Sequence, residues 1–134
     1  MRQPIKFAFL CAAAVALFLL AGCASQPTTV PEGLSVGEIF QRAQDASDGG
    51  NYSTSILFYS QVEKSYPADI EHVIWAQYEI AFLYHKMGKN DTAISLLTAL
   101  LDRYAKEGAA LPPAPRALAQ DLKTRLESAL PKKQ

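Results

Sequence analysis

The sequence predicts an all-α protein of repeated helical hairpins. Three observations carry that prediction. From Val36 onward the apolar residues recur every three or four positions, and no segment alternates strictly as a half-buried strand does. The chain resembles itself at a period of about 38 residues. Within that period Ala43 corresponds to Ala81, Gly50 to Gly88, Ser55 to Ala93, Tyr59 to Leu97, Val62 to Leu100 and Tyr66 to Tyr104. Small residues fall where two helices must approach, and a glycine falls at the turn between them.

The elements follow in order. Residues 1–22 carry Arg2 and Lys6 before an apolar run of about 14 residues, the length of a secretory signal core and too short to span a bilayer. The run ends in Leu20-Ala21-Gly22-Cys23, which resembles the bacterial lipobox. The resemblance implies cleavage before Cys23, diacylglycerol on its sulfur and a further acyl chain such as palmitate on the new amino group. Two or more chains anchor firmly where one holds marginally. Ala24, in place of aspartate, resembles the sorting signal for the outer membrane, so the expected location is a lipid anchor there, facing the periplasm. Cleavage removes Cys11 and lipidation uses Cys23, the two cysteines of the chain, so packing alone must hold the fold. It also removes two of 13 basic residues against 13 acidic ones. The mature charge of about −2 argues against a nucleic-acid partner.

Residues 23–34 read as the lipidated cysteine and a flexible tether rich in proline and glycine. The helical domain is expected over 35–130, with residues 131–134 as a basic tail. Ser35 and Glu38 match a capping box, with Leu34 and Ile39 as its hydrophobic staple. A first helix therefore runs from Val36 to Asp48, stopping at Gly49-Gly50. A second runs from Tyr52 to Tyr66, stopping near Pro67, and a third from Asp69 to Met87, stopping at Gly88. The fourth starts at Asn90 or Asp91, capped by their side chains, and buries Ile94, Leu97, Leu100, Leu101 and Tyr104. After "GAALPPAP" a fifth helix places Leu118, Leu122, Leu126 and Ala129 on one stripe.

The repeat resembles the tetratricopeptide family, whose helix-turn-helix unit has small residues at the helix crossing, a turn glycine, an aromatic in the second helix and a closing proline. Gly50, Ser55, Tyr59, Val62 and Pro67 keep that register in the first unit, and Ile80, Ala81, Tyr84, Gly88, Ala93 and Leu100 keep it in the second. The departures are Ile39 and Gln77 at the usual tryptophan and Ala105 at the usual proline. With the long spacing around "ADIEHV", the units look more like those of outer-membrane tetratricopeptide lipoproteins of the barrel-assembly type. The resemblance implies two repeats and a C-terminal capping helix.

It also implies that the first helix of each unit packs on its hairpin partner and lines a concave groove with its other face. Ile80, Ala81 and Tyr84 are expected on the packing face of the third helix; Trp75, Tyr78, Phe82 and His85 are expected either in the groove or covered as core by the fifth helix or the proline-rich tether. Phe40, Gln44 and Ser47 are their counterparts in the first unit. Tryptophan and tyrosine dominate protein-binding hot spots. The expected function is therefore a lipid-anchored periplasmic adaptor for protein partners in envelope assembly or maintenance. One alternative is a small apolar ligand held for a transport system, and another is a structural lipoprotein that self-associates. A peptide groove should be open, with Gln44 and Asp48 on its rim, whereas a ligand cavity should be closed by the fifth helix. No catalytic constellation, cofactor motif or metal-ligand spacing stands out: His72 and His85 lie nearly four turns apart, and neither a nucleophile elbow nor a phosphate-binding glycine motif is present. No enzyme activity, cofactor or metal is expected.

Overall fold

The computed structural model describes residues 29–130; the signal peptide, Cys23 and the tail at 131–134 lie outside them. The fold is all-α and tetratricopeptide-like. Five helices follow one another: α1 (Val36–Asp48), α2 (Tyr52–Ser65), α3 (Ile70–Lys86), α4 (Asn90–Glu107) and α5 (Pro113–Ala129), with a 3-10 turn at Gly108–Ala110 before the last. Each packs chiefly on its neighbours in sequence, and α3 also touches α5.

The boundaries have local causes. Ser35 and Glu38 form the capping box: the Ser35 amide donates to the Glu38 carboxylate at 2.8 Å, and the Glu38 amide donates back to Ser35 Oγ at 3.3 Å. The Ser35 hydroxyl, which donates to the Glu38 carboxylate at 2.6 Å, and then the Ser35 amide hold that carboxyl below its ordinary value. Helix α2 stops at Ser65 because Pro67 follows, whereas α4, with Ala105 at the equivalent place, runs on to Glu107. The two hairpin turns have the same backbone angles and equivalent hydrogen bonds. Gly50 and Gly88 have φ of 75° and 73°, the left-handed region that glycine enters freely. Asn51 and Lys89, which follow them, share φ −86° and ψ 61°. The amide of Asn51 donates to the Ala46 carbonyl at 2.7 Å, and that of Lys89 to the Tyr84 carbonyl at 2.9 Å.

Three expectations at helix ends and on helix faces are corrected. Lys89, with no side-chain cap bond, occupies the N-cap of α4; the Asn90 amide oxygen instead meets His85 Nδ1 at 2.9 Å, so the turn uses Asn90 as a strap across itself. On α5 the buried stripe is Pro115, Ala119, Leu122 and Leu126, while Leu118 is 41% exposed and Ala129 is exposed. Close approach of α5 to α4 selects the small Ala119 over its bulky neighbour. On α4, Leu97, Leu100 and Tyr104 are buried with Ala93, while Ile94 and Leu101 stay half-buried.

Two cores result. The first joins Ile39, Ala43, Phe58, Tyr59 and Val62 to Val73, Ala76 and Leu83 of α3, with Val30 and Leu34 packed against it from the segment before α1. The second joins Ala93, Leu97, Leu100, Tyr104, Leu111, Ala119, Leu122 and Leu126 to Ile74 and Ala81 of the same α3. Fully burying such a leucine or isoleucine contributes about 1.5–3 kcal/mol. The many-sided apolarity of α3 is thereby explained: it is a wall common to both cores.

The two equivalent tyrosines close the ends of the hairpins. Tyr66 Oη donates to the Leu34 carbonyl at 2.5 Å, and Tyr104 Oη to the Pro112 carbonyl at 2.5 Å. A cleft of about 410 Å³ lies beside the first tyrosine, among Pro31, Gly33, Leu34 and Gln61. One of about 370 Å³ lies beside the second, among Gly108, Leu111, Pro113 and Arg116.

Candidate functional site: the aromatic face of α3

Helix α3 turns one flank to the first core and another to the second. Ile80 packs on the first core, whereas Ala81 and Tyr84 pack on the second, so the three residues expected on one packing face are divided between two. Beside the second core, against which Phe82 and Tyr78 pack, runs a stripe at spacings of four, three and four: Trp75, Glu79, Phe82 and Lys86. Tyr78 and His85 lie along the edge of that stripe nearer the second core.

The aromatic residues expected in the groove do come together. Trp75 meets Tyr78 edge-on with ring centroids 6.2 Å apart, Tyr78 stacks on Phe82 at 6.3 Å with the planes 14° apart, and Phe82 meets His85 at 6.3 Å. All four are half-buried. Phe40 extends the surface from α1, edge-on to Tyr59 at 5.1 Å and to His72 at 5.2 Å. Gln44 is exposed one turn further along α1. Helix α5 stands beside this ladder: Asp121 and Arg125, themselves paired at 3.1 Å, act electrostatically on the Tyr78 hydroxyl. Burial, followed by the charge of Glu79, raises the pKa of Tyr78.

The sequence pattern missed Glu79, because a single carboxylate inside an aromatic run reads as the polar side of a helix. Burial raises its carboxyl above the ordinary value near 4.5, opposed by the charge of Lys86. Among the described residues none donates a hydrogen bond to it. Lys86 is engaged elsewhere, its Nζ lying 5.1 Å from the centre of the Tyr52 ring and 5.8 Å from that of Phe82, a cation–π arrangement. Behind Glu79 is the buried Tyr59, whose hydroxyl is pushed up first by burial and then by the charges of Glu79 and Asp48.

The two histidines have structural partners. His72 Nδ1 meets Asp69 at 2.8 Å while the His72 amide donates to the same carboxylate, capping α3; those bonds lower the Asp69 carboxyl. His85 joins the Asn90 strap. Among the described residues no group of three or more histidine, cysteine, aspartate or glutamate side chains could hold a metal ion. No helix among them is long and apolar enough to cross a membrane.

No protein-family model matches the chain, and no solved structure gives a significant match. Among curated proteins it is 33% identical over 117 residues to an uncharacterized protein of Treponema pallidum (strain Nichols), covering 85% of this chain and 45% of that one. It is 27% identical over 92 residues to the outer membrane protein assembly factor BamD of Neisseria meningitidis serogroup B, covering 65% of this chain and 33% of that protein. The chain thus spans less than half the length of the curated relatives it matches.

Proposed function

We propose that the protein is a lipid-anchored periplasmic adaptor, held at the outer membrane through Cys23, that receives a segment of another protein in envelope assembly or maintenance. The observation that carries the reading is the half-exposed ladder of Trp75, Tyr78, Phe82 and His85 on the helix common to both cores. Such rings offer large contact area at small entropic cost and form the anchors of protein interfaces. The half-exposure of all four rings supports an open groove over a closed ligand cavity. The distant similarity to an outer membrane assembly factor supports a place in the envelope.

Crosslinking in cells from a photoreactive residue at position 78, with one at the exposed position 63 on α2 as control, tests this. The adaptor requires a discrete heterologous product from position 78 that is absent from position 63. Products containing only the protein itself would point to structural self-assembly, and the absence of any protein product would favour an apolar small ligand. Labelling with a radioactive fatty acid, lost on Cys23→Ser, tests the anchor.

A further inference from the structure

The aromatic stripe carries a charge that nothing in the fold requires. Glu79 lies one turn after Trp75 and one turn before Phe82 on the same face. It is half-buried, and no described residue donates a hydrogen bond to it or forms an ion pair with it. A carboxylate withdrawn from water without a partner is unfavourable, and Gln at this position would pack in similar volume without the charge. Lys86 attracts the carboxylate but makes no ion pair with it, its Nζ lying over the Tyr52 and Phe82 rings. Asp48 adds a second negative charge that acts on the same Tyr59 hydroxyl. The middle of the groove is therefore acidic, walled by π faces and short of a cation.

We infer, on the adaptor reading above, that the groove takes an extended apolar segment of another protein through one basic side chain, Arg or Lys, which docks on the Glu79 carboxylate between the rings of Trp75 and Phe82. The chemistry is complementary at each level. A guanidinium or ammonium ion supplies the missing donors to the carboxylate. Its flat face or alkyl stem lies against aromatic rings, which attract cations. The excess negative charge of the mature chain favours a basic partner. Arg is the better fit, because its planar fork bonds a carboxylate and stacks on a ring at once.

The chain supplies its own reporter, since Trp75 is its single tryptophan. Random peptides displayed on phage would be selected on the full chain in detergent, and in parallel on Glu79→Gln and Glu79→Lys. Thermal midpoints of both variants at or above that of the parent establish that they are folded. Selection on the parent should enrich one Arg or Lys among apolar residues. The Gln variant should lose that enrichment, and the Lys variant should replace it with an acidic residue. A synthetic peptide of the enriched sequence should shift Trp75 emission and bind about tenfold more tightly than its citrulline counterpart, the weight of one desolvated charge pair. Peptides that shift Trp75 emission but lack a cation, or keep it on Glu79→Gln, would overturn this inference and leave the groove reading standing. If no enriched peptide moves Trp75 emission, both fail. Emission from the free chain that changes with its concentration, or on replacing Lys132 and Lys133 by Gln, would overturn the inference in favour of a second copy or the chain's own tail.

Discussion

The hairpin α1–α2 and the hairpin α3–α4 share a turn and their buried crossing positions, and differ in their outer faces and their ends. Their glycines and the residues that follow have the same dihedral angles and equivalent hydrogen bonds. Their groove faces diverge, with Phe40 and the exposed Gln44 on one and four aromatic rings in mutual contact on the other. Their ends diverge too. Tyr66 reaches back to the segment before α1, whereas Tyr104 reaches forward to the segment before α5. Turn geometry is set by a few local residues, so it persists while the surfaces it holds in place are free to specialise.

The comparison can be broken first at the cores. Leu83→Ala in the first and Leu97→Ala in the second each remove a side chain that is at most 1% exposed, at an expected cost of about 2–5 kcal/mol in urea unfolding. Cooperative loss of both hairpins in either variant is the outcome that fits a common wall. At the turns, Gly50→Ala and Gly88→Ala meet no atom within 4 Å, so only the left-handed backbone resists them. Each should cost about 1–2 kcal/mol, and a large disparity between the two would show that the turns are not equivalent. Removing the phenol hydroxyls by Tyr66→Phe and Tyr104→Phe should cost about 0.5–1.5 kcal/mol each. Hydrogen exchange should then rise at the front of the domain in the first variant and before α5 in the second.

Ser55 sharpens the comparison from the other side. Its hydroxyl is buried without a hydrogen-bond partner, and the equivalent residue is Ala93, also fully buried. Ser55→Ala should therefore stabilise the protein by up to about 1 kcal/mol, read as a higher midpoint in urea. The smallest effect should come from Glu79→Gln through pH. The folded state raises the carboxyl above its ordinary value near 4.5. Folded protein thus binds more protons in the window above 4.5, and stability conferred by the protonated form is lost as pH rises through the folded value. The Gln variant should match the parent near pH 4 and exceed it at pH 7 in paired denaturation curves.

How much of this was legible follows from the range of each interaction. The start of α1 and the stops of α1, α2 and α3 are written in neighbouring residues: a capping box, a glycine pair, a proline and a second glycine. The repeat register was legible because a turn and a helix crossing restrict residue type strongly. The start of α4 at Asn90 was legible, but its cap was misassigned, because Asn90 can cap a helix or bond sideways, and His85, five residues back, decides which. The stripe of α5 was shifted because Leu118 and Ala119 are neighbours on the helix surface, and only the proximity of α4 chooses the smaller. Glu79 was hidden for a related reason: the sequence gives its spacing but not the withdrawal from water that makes it unusual. The tyrosine straps join residues whose meeting depends on the finished fold.

That α3 is a wall of both cores has a thermodynamic corollary. A solenoid can ordinarily fray from an end while its remainder stays intact, but here neither hairpin can detach without stripping the flank of a helix that the other needs. A partner that grips the exposed stripe of α3 would stabilise the whole domain by mass action. Slowed amide exchange would then spread into α1, α2 and α4, elements the partner need never touch.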